Sequence, residues 1–136
     1  MKSAQLPKPF TTALLLASMA LTIACGYSKK TTAPVAGSVP AISQLAPNSA
    51  NAGATFVLTV DGSNFGSQAV VNFNGTAQMT TFISGNQVTA SIPATAVATA
   101  GTASVTVTNP ATPGTGMYGS GGTLAATSSP MSFTIN

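Results

Sequence analysis

Apolar and polar residues alternate in short segments from about residue 55 to the last residue of the chain. In the first segment, ATFVLTVDG, the residues Phe56, Leu58 and Val60 fall on one side of an extended chain. The segments VVNFNG, QVTASIP, ASVTVTNP and MSFTIN repeat this pattern. A period of two residues with many β-branched side chains predicts a series of β-strands.

Turn-forming sequences separate the predicted strands: DGSNFG, NGT, SGNQ and NPATPG. A helical period of useful length is missing from the sequence, and ATAVATA (residues 94–100) predicts at most one helical turn. Strands with one apolar face must bury those faces against each other. We therefore expect an all-β fold, an immunoglobulin-like antiparallel β-sandwich of about seven strands spanning residues 41–136. The Cys–Trp–Cys core of antibody domains is absent from the sequence.

The alternation also predicts which side chains form the core of this sandwich. These are Phe56, Leu58, Val60, Phe65, Val71, Phe73, Val88, Ile92, Val105, Val107, Phe133 and Ile135. Ala90 lies on the same side of its strand as Val88 and Ile92. The segment MTTFIS leaves two alternatives open, because either Phe82 or Ile83 could face inward.

The first 24 residues have the organisation of an export signal. Lys2 and Lys8 precede an apolar run from about Ala13 to Ala24. The run is too short to span a bilayer, which takes about 20 apolar residues. A buried amphipathic helix is the alternative, but three consecutive leucines leave no polar face. We expect residues 1–24 to be a signal peptide.

Cys25, the one cysteine of the chain, follows the apolar run directly. The sequence TIAC, residues 22–25, resembles the bacterial lipobox, although Thr22 stands where leucine is usual. The resemblance implies cleavage before Cys25, lipidation of Cys25 and anchoring in a membrane. The alternative is secretion with a free thiol. Residues 25–40 are rich in Pro, Gly, Ser and Thr, and they predict a flexible tether behind the anchor.

Composition excludes most chemistry. The charged residues are Lys2, Lys8, Lys29, Lys30 and Asp61, and the chain has no His, Arg, Glu or Trp. General acid–base catalysis and metal binding need clustered His, Cys or carboxylates. We therefore expect no enzyme activity, no catalytic residues, no metal site and no cofactor. Nucleic-acid binding needs several basic residues on one face, and residues 31–136 contain no Lys or Arg.

Several motifs taken together resemble an IPT/TIG domain. PAISQLAPNSANAGATFVLTVDGSNFG resembles the opening of the family, with Pro40, Ile42, Pro47 and Gly53 before an alternating strand. It ends on a Gly-x-x-Phe-Gly motif at residues 62–66. VVNFNGT, NQVTASIPATAVATAGTASVTVTNP and MSFTIN resemble later strands of the family. The likeness covers about residues 40–136 and implies an immunoglobulin-like, non-catalytic module.

DGSNFG is expected to form a tight turn. Gly62 and Gly66 would adopt positive φ, the side chain of Asn64 would cap the turn, and Phe65 would fill the core. The alternative, a calcium loop, needs more carboxylates than Asp61 alone supplies.

The connection between Asn109 and Pro130, NPATPGTGMYGSGGTLAATSSP, is longer than the resemblance implies. Long loops without secondary structure are usually functional or disordered. Met117 and Tyr118 make it a candidate binding loop, because a Tyr among glycines is a common contact residue. A floppy insertion is the alternative.

These features together predict an exported, lipid-anchored bacterial cell-envelope protein on the periplasmic or cell-surface side. Its single domain would be a structural, adhesive or binding module for a protein or glycan that the sequence does not identify. A secreted accessory module that binds polysaccharide is one alternative. Self-association is another, because low charge and sheet edges favour packing against copies.

Overall fold

The computed structural model of this protein describes residues 33–115 and 121–136. Residues 1–24, which are predicted to be a signal peptide, and Cys25 lie outside the described residues. Among the described helices, none is long and apolar enough to cross a membrane. The strands in chain order are β1 Ala41–Ala46, β2 Ser49–Ala50, β3 Phe56–Ser63, β4 Val70–Phe73, β5 Thr76–Ala77, β6 Met79–Ser84, β7 Gln87–Ile92, β8 Gly101–Asn109, β9 Ala126–Thr127 and β10 Met131–Ile135.

Two sheets are built from these strands. The first has the order β1-β3-β7-β6 and is antiparallel throughout. The second has the order β2-β10-β8-β4-β5, with β9 also paired to β8. Only β2 runs parallel to its neighbour, β10, among the described pairs. The prediction of an immunoglobulin-like antiparallel sandwich is confirmed, and seven of the described strands have four or more residues.

The core lies between the two sheets and consists almost entirely of the side chains that the alternation predicts. Leu58, Val60, Val88, Ala90 and Ile92 line it from the first sheet. The second sheet contributes Val71, Phe73, Val105, Val107, Phe133 and Ile135. Leu45, Ala69, Val97 and Ala103 also belong to it and were not predicted.

Phe133 organises the aromatic part of the core. Its ring stacks on Phe56 at a centroid distance of 5.3 Å and meets Phe73 edge-on at 5.3 Å. Both geometries are favourable for aromatic pairs. Phe56 itself is only partly buried, because it lies at the start of β3, where the sandwich ends.

Of the two alternatives for MTTFIS, Phe82 takes the inward side of its strand, opposite the buried Val88, but neither Phe82 nor Ile83 is buried in the core. Both side chains are exposed, Phe82 by 38% and Ile83 by 54%. They lie on β6, which is an edge strand with a register shift between Phe82 and Ser84. Thr80 is the partly buried residue of this strand, and its hydroxyl accepts a hydrogen bond from the N–H of Val71.

The predicted helical turn after β7 is present as a 3-10 helix over Ala94–Val97, which buries Val97. It closes one end of the sandwich together with the turn Asn51–Gly53 and the last residue, Asn136. Gly53 N–H donates to Val97 O (2.8 Å) and Ala52 N–H donates to Asn136 O (2.8 Å). We call this the far end, because the chain enters the domain at the opposite one.

Candidate functional site

We call the opposite end of the sandwich the tether end. Segments that are far apart in the sequence lie side by side there. The turn after β3, the end of β8, the long connection and the segment before β1 meet there. The turn after β3 differs from its prediction. β3 continues through Asp61 and Gly62 to Ser63, and the residue with positive φ is Asn64, at 60°.

Gly62 and Gly66 are therefore not needed for positive φ, contrary to expectation. Gly62 is needed because there is no room for a side chain at this position. A Cβ there would overlap the Ala41 carbonyl oxygen and lie 2.6 Å from Cζ of Phe65. Phe65 is buried, as predicted, and its ring lies where a side chain at position 62 would otherwise lie. The turn thus depends on contact between Gly62 and Phe65.

The amide of Asn109 joins three segments at the tether end. Its Oδ1 accepts a hydrogen bond from Gly66 N–H (2.8 Å), and its Nδ2 donates to Ser38 O (2.9 Å) and Asn64 O (2.8 Å). Asn64 does not cap its own turn; its Nδ2 donates to Val39 O (3.3 Å) instead. Both asparagines therefore bind the segment that precedes β1.

This segment, residues 35–40, belongs to the region predicted to be a tether, yet it packs on the domain. We call it the N-terminal arm. Pro40 is fully buried. Val35 N–H donates to Gly122 O (3.0 Å), and Val35 O accepts from Leu124 N–H (3.0 Å). The ordered domain consequently begins before Ala41.

The long connection after β8 is less irregular than predicted. Thr112 and Thr123 pair through two backbone hydrogen bonds of 3.0 and 3.1 Å, and their hydroxyls lie 2.7 Å apart. Val35 pairs with Thr123 in the parallel direction, so that Thr123 lies between Val35 and Thr112. Further on, β9 extends the edge of β8, and the hydroxyl of Thr127 pairs with that of Thr108 at 2.9 Å. Met117 and Tyr118, the predicted binding residues, lie outside the described residues.

An open cleft of about 370 Å³ lies between these segments. Its walls include Ser38, Asn64, Gln68, Pro110 and Leu124. The walls carry amide and hydroxyl groups but no charge, so the cleft suits a neutral ligand held by hydrogen bonds. A second open cavity, of about 380 Å³, lies at the far end and is lined by Phe73, Asn74, Gln78, Pro93 and Thr95 among others.

The only charged side chain of the described residues is Asp61, and it makes a structural contact. Its Oδ1 accepts a hydrogen bond from Nε2 of Gln87 at 2.7 Å. The described residues contain no group of three His, Cys, Asp or Glu side chains that could hold a metal ion. The chemistry available here is hydrogen bonding and apolar contact.

A surface that the sequence did not predict lies along β6. Met79 is 82% exposed, and Phe82 and Ile83 are also exposed. On the outer face of the sheet, Met79 and Val57 flank Ser91 in one row across three strands. The signal was present in MTTFIS, whose apolar residues do not alternate cleanly, but it indicated a core strand as readily as an edge.

Comparison with known proteins agrees with the geometry. The family model of the IPT/TIG domain matches residues 40–134, from the buried Pro40 to the penultimate residue of β10. A search of curated proteins found no match. IPT/TIG domains are non-catalytic immunoglobulin-like modules often used in binding and adhesion. Because the match covers more than half of its 136 residues, the chain belongs to the IPT/TIG domain family.

Proposed function

We propose that this protein is a lipoprotein of the bacterial cell envelope and that its IPT/TIG domain is a non-catalytic binding or structural module held at a membrane surface. Cys25 carries the lipid, and residues 1–24 are removed as the signal peptide. The observation that carries the proposal is the position of Cys25, the one cysteine, directly after the apolar run and the small residue Ala24.

The composition supports a module without catalysis. The sequence contains no His or Glu, and its single Asp bonds to Gln87 within the first sheet. Binding through the described residues would therefore use neutral hydrogen-bonding groups and apolar side chains. A glycan site usually presents exposed aromatic rings. In the described part of the chain, Phe82 is the one aromatic among the exposed large apolar side chains. The polysaccharide alternative would therefore need Tyr118 in addition to Phe82.

The mass of the mature protein tests the anchor. We expect a diacylglyceryl thioether on Cys25 and loss of residues 1–24. Cys25→Ser should move the protein from the membrane fraction to the soluble one. Thr22→Leu is the matched control, because it restores the usual lipobox residue and should leave the protein in the membrane fraction. An unmodified Cys25, or a Cys25→Ser protein that stays in the membrane fraction, would contradict the proposal.

Self-association is a second candidate, and the exposed apolar side chains of β6 favour it. Among the described strands, β6 pairs only with β7, so its outer edge presents backbone N–H and C=O groups. Natural edge strands often carry charges that prevent pairing with another chain, but β6 carries none. A second copy of the domain fits this edge, because one charged side chain among the described residues gives little repulsion between copies.

Sedimentation of the Cys25→Ser protein tests this candidate without a lipid. We expect concentration-dependent dimers, which Ile83→Lys should weaken by placing a charge on the edge. Thr102→Lys adds the same charge on an exposed position of the second sheet and should leave the dimers intact. A monomer at all concentrations, or equal effects of both substitutions, would exclude pairing through β6.

A further inference from the structure

The hairpin between β4 and β5 turns through a two-residue loop, Asn74 and Gly75, with Phe73 paired to Thr76 at its base. Asn74 has a φ of 48° and Gly75 a φ of 81°. Two successive residues with positive φ are typical of a type I′ hairpin loop, for which Asn-Gly is a preferred sequence. The same dipeptide is the one in which an asparagine side chain cyclises most readily onto the following backbone nitrogen. The turn that the fold favours is therefore also a reactive one.

Both groups that would react are accessible in this loop. Asn74 and Gly75 are exposed, and a Cβ added to Gly75 would have no heavy atom within 4 Å. Among the described residues, the structure shows no hydrogen bond to the side-chain amide of Asn74 or to the N–H of Gly75. The backbone N–H of Asn74 donates to Ser104 O at 2.7 Å, so the main chain is held while the side chain is not.

Most other asparagine side chains of the described residues are restrained. Four of them donate hydrogen bonds to backbone or hydroxyl oxygens: Asn64, Asn72, Asn86 and Asn109. Asn48 and Asn51 are exposed, but Ser49 and Ala52 follow them, and the Cβ of these residues shields the backbone nitrogen. Asn74 therefore combines an accessible amide with the least hindered neighbour, because glycine has no Cβ.

We propose that Asn74 is a site of spontaneous covalent modification, by deamidation through a succinimide. The Gly75 nitrogen, deprotonated by hydroxide, attacks Cγ of Asn74. A bond forms between these two atoms, the bond from Cγ to Nδ2 breaks, and Nδ2 takes up protons from water and leaves as ammonia. Water then opens the ring at either carbonyl and leaves aspartate or isoaspartate at position 74. The reaction needs no oxidant or reductant, and it is independent of a lipid on Cys25.

The modification would change the charge of the cavity at the far end. Asn74 lines this cavity together with Phe73, Gln78, Pro93 and Thr95, among others, and all of its lining residues are uncharged. The only charge on a described side chain is that of Asp61, whose carboxylate bonds to Gln87 in the other sheet. A carboxylate at position 74 would therefore make a neutral wall anionic, so that the cavity favours a cationic group.

The isoaspartate form would also alter the backbone. It passes the main chain through the former side chain and adds a methylene group to a loop whose geometry suits two residues. β5, which follows the loop, has two residues and lies at the edge of its sheet. Few hydrogen bonds hold such a strand, so we expect β5 to loosen while β8, in the middle of the sheet, keeps its pairing.

Peptide mass spectrometry of the folded Cys25→Ser protein, incubated in mildly alkaline buffer, tests the site. Loss of ammonia at Asn74 should be at least roughly tenfold faster than at Asn51, because glycine leaves the attacking nitrogen unshielded. The rate should rise in proportion to the hydroxide concentration. An isoaspartyl methyltransferase should then methylate the peptide that contains position 74. These comparisons use one chain, so they stand even if a variant fails to fold.

Gly75→Ala is the matched variant. The space around the added Cβ is open, so its cost is confined to the positive φ. It should slow the reaction of Asn74 to about the rate of Asn51. Equal rates at Asn74 and Asn51 in the unchanged chain would overturn the proposal. So would an Asn74 that reacts in urea but stays intact in the folded protein, because the turn would then protect it.

Hydrogen exchange tests the effect on β5. Asn74→Asp supplies the charge without the extra methylene group, so its β5 amides should exchange like those of the parent. The isoaspartate form, separated by ion exchange, should exchange the same amides faster. If the isoaspartate form and Asn74→Asp exchanged at equal rates, the predicted loosening of β5 would be wrong.

Discussion

The side-chain oxygen of Asn109 accepts the backbone N–H of Gly66 at 2.8 Å, across 43 residues of sequence. The same amide donates to two carbonyl oxygens, of Ser38 and Asn64. One side chain at the end of β8 therefore fixes the turn after β3 and the N-terminal arm at once. Because Oδ1 faces a donor and Nδ2 faces two acceptors, the orientation of the amide is determined by its partners.

The first prediction concerns this amide. Asn109→Ala removes three hydrogen bonds, each with a net contribution of about 0.5–1.5 kcal/mol. We expect the free energy of unfolding of the Cys25→Ser protein, measured in urea, to fall by about 2 kcal/mol. Asn109→Asp should cost at least as much, since a carboxylate would face the carbonyl oxygens of Ser38 and Asn64. Asn51→Ala, at an exposed position, is the control and should change stability by less than about 0.5 kcal/mol.

An Asn109→Asp protein as stable as the parent would contradict this account, because it would show that the two N–H donors of the amide are not needed.

The sequence predicts each of the motifs at this end separately, but it does not predict that they contact one another. Gly66 and Asn109 stood in two separate motifs of the family resemblance, and nothing in the spacing indicated a bond between them. Strand alternation predicts which face a residue takes and is local, whereas a side chain that binds a remote backbone group depends on the final arrangement of loops. The N-terminal arm was missed for the same reason, since its pairing with Thr123 leaves no periodic pattern.

The second prediction compares a buried phenylalanine with an exposed one. Phe65 is 5% exposed and Phe82 is 38% exposed. Phe65→Ala should lower the free energy of unfolding by about 3–5 kcal/mol, as truncation of a buried Phe does. Phe82→Ala, the matched control, should cost less than about 1 kcal/mol. Equal losses in urea or thermal unfolding would mean that Phe65 is not a core residue.

Phe82 also shows where alternation stops being informative. A β-strand at the edge of a sandwich can direct an apolar side chain toward the core face and still leave it exposed, because no strand covers its far side. Phe82 pairs with the buried Val88 and so takes the inward side of β6, yet it remains exposed. The order of strands in the sheet, which alternation does not encode, decides the outcome.

The third prediction tests whether Gly62 is needed because a side chain does not fit at this position, and not because of its backbone conformation. Gly62→Ala would place a Cβ against the Ala41 carbonyl and the ring of Phe65, so the backbone of β1 or β3 must shift. We expect a loss of about 1–3 kcal/mol, typical of overpacking. Gly85→Ala is the control. The nearest atom to its added Cβ is the Phe65 carbonyl oxygen at 3.8 Å, which is an ordinary contact. If Gly62→Ala left the stability in thermal unfolding unchanged, the claim that a side chain does not fit at position 62 would be wrong.

The fourth prediction concerns the gap between β9 and β10. Ser128 lies in this gap, and its hydroxyl accepts the N–H of Val107 at 3.0 Å, while its own N–H donates to Val107 O at 2.8 Å. Ser128→Ala leaves the buried N–H of Val107 without its partner, which costs about 1–3 kcal/mol. Ser129→Ala, at the exposed neighbouring position, should be nearly neutral. Hydrogen exchange at Val107 gives a local readout, and we expect its protection to drop only in Ser128→Ala.

The fifth prediction concerns the long connection after β8. Deleting residues 115–120 leaves Pro113, Gly114, Gly121 and Gly122 between Thr112 and Thr123, and four-residue connections between paired strands are common. The Thr112–Thr123 pair, its contact with Val35, and β9 all remain. We therefore expect the melting temperature to stay within a few degrees of the parent. Any binding that depends on Met117 or Tyr118 should be lost.

Deleting residues 113–127 is the contrasting variant. It removes Thr123, on which the N-terminal arm depends, and all of β9 with the hydroxyl of Thr127. We expect a clear fall in melting temperature, because the edge of β8 loses its cover and Val35 loses both of its backbone hydrogen bonds. If both deletions left the melting temperature unchanged, the pairing of Thr112 with Thr123 and of Thr123 with Val35 would contribute nothing to stability. If the shorter deletion alone unfolded the domain, residues 115–120 would have a structural role, and a loss of binding could not be assigned to Tyr118.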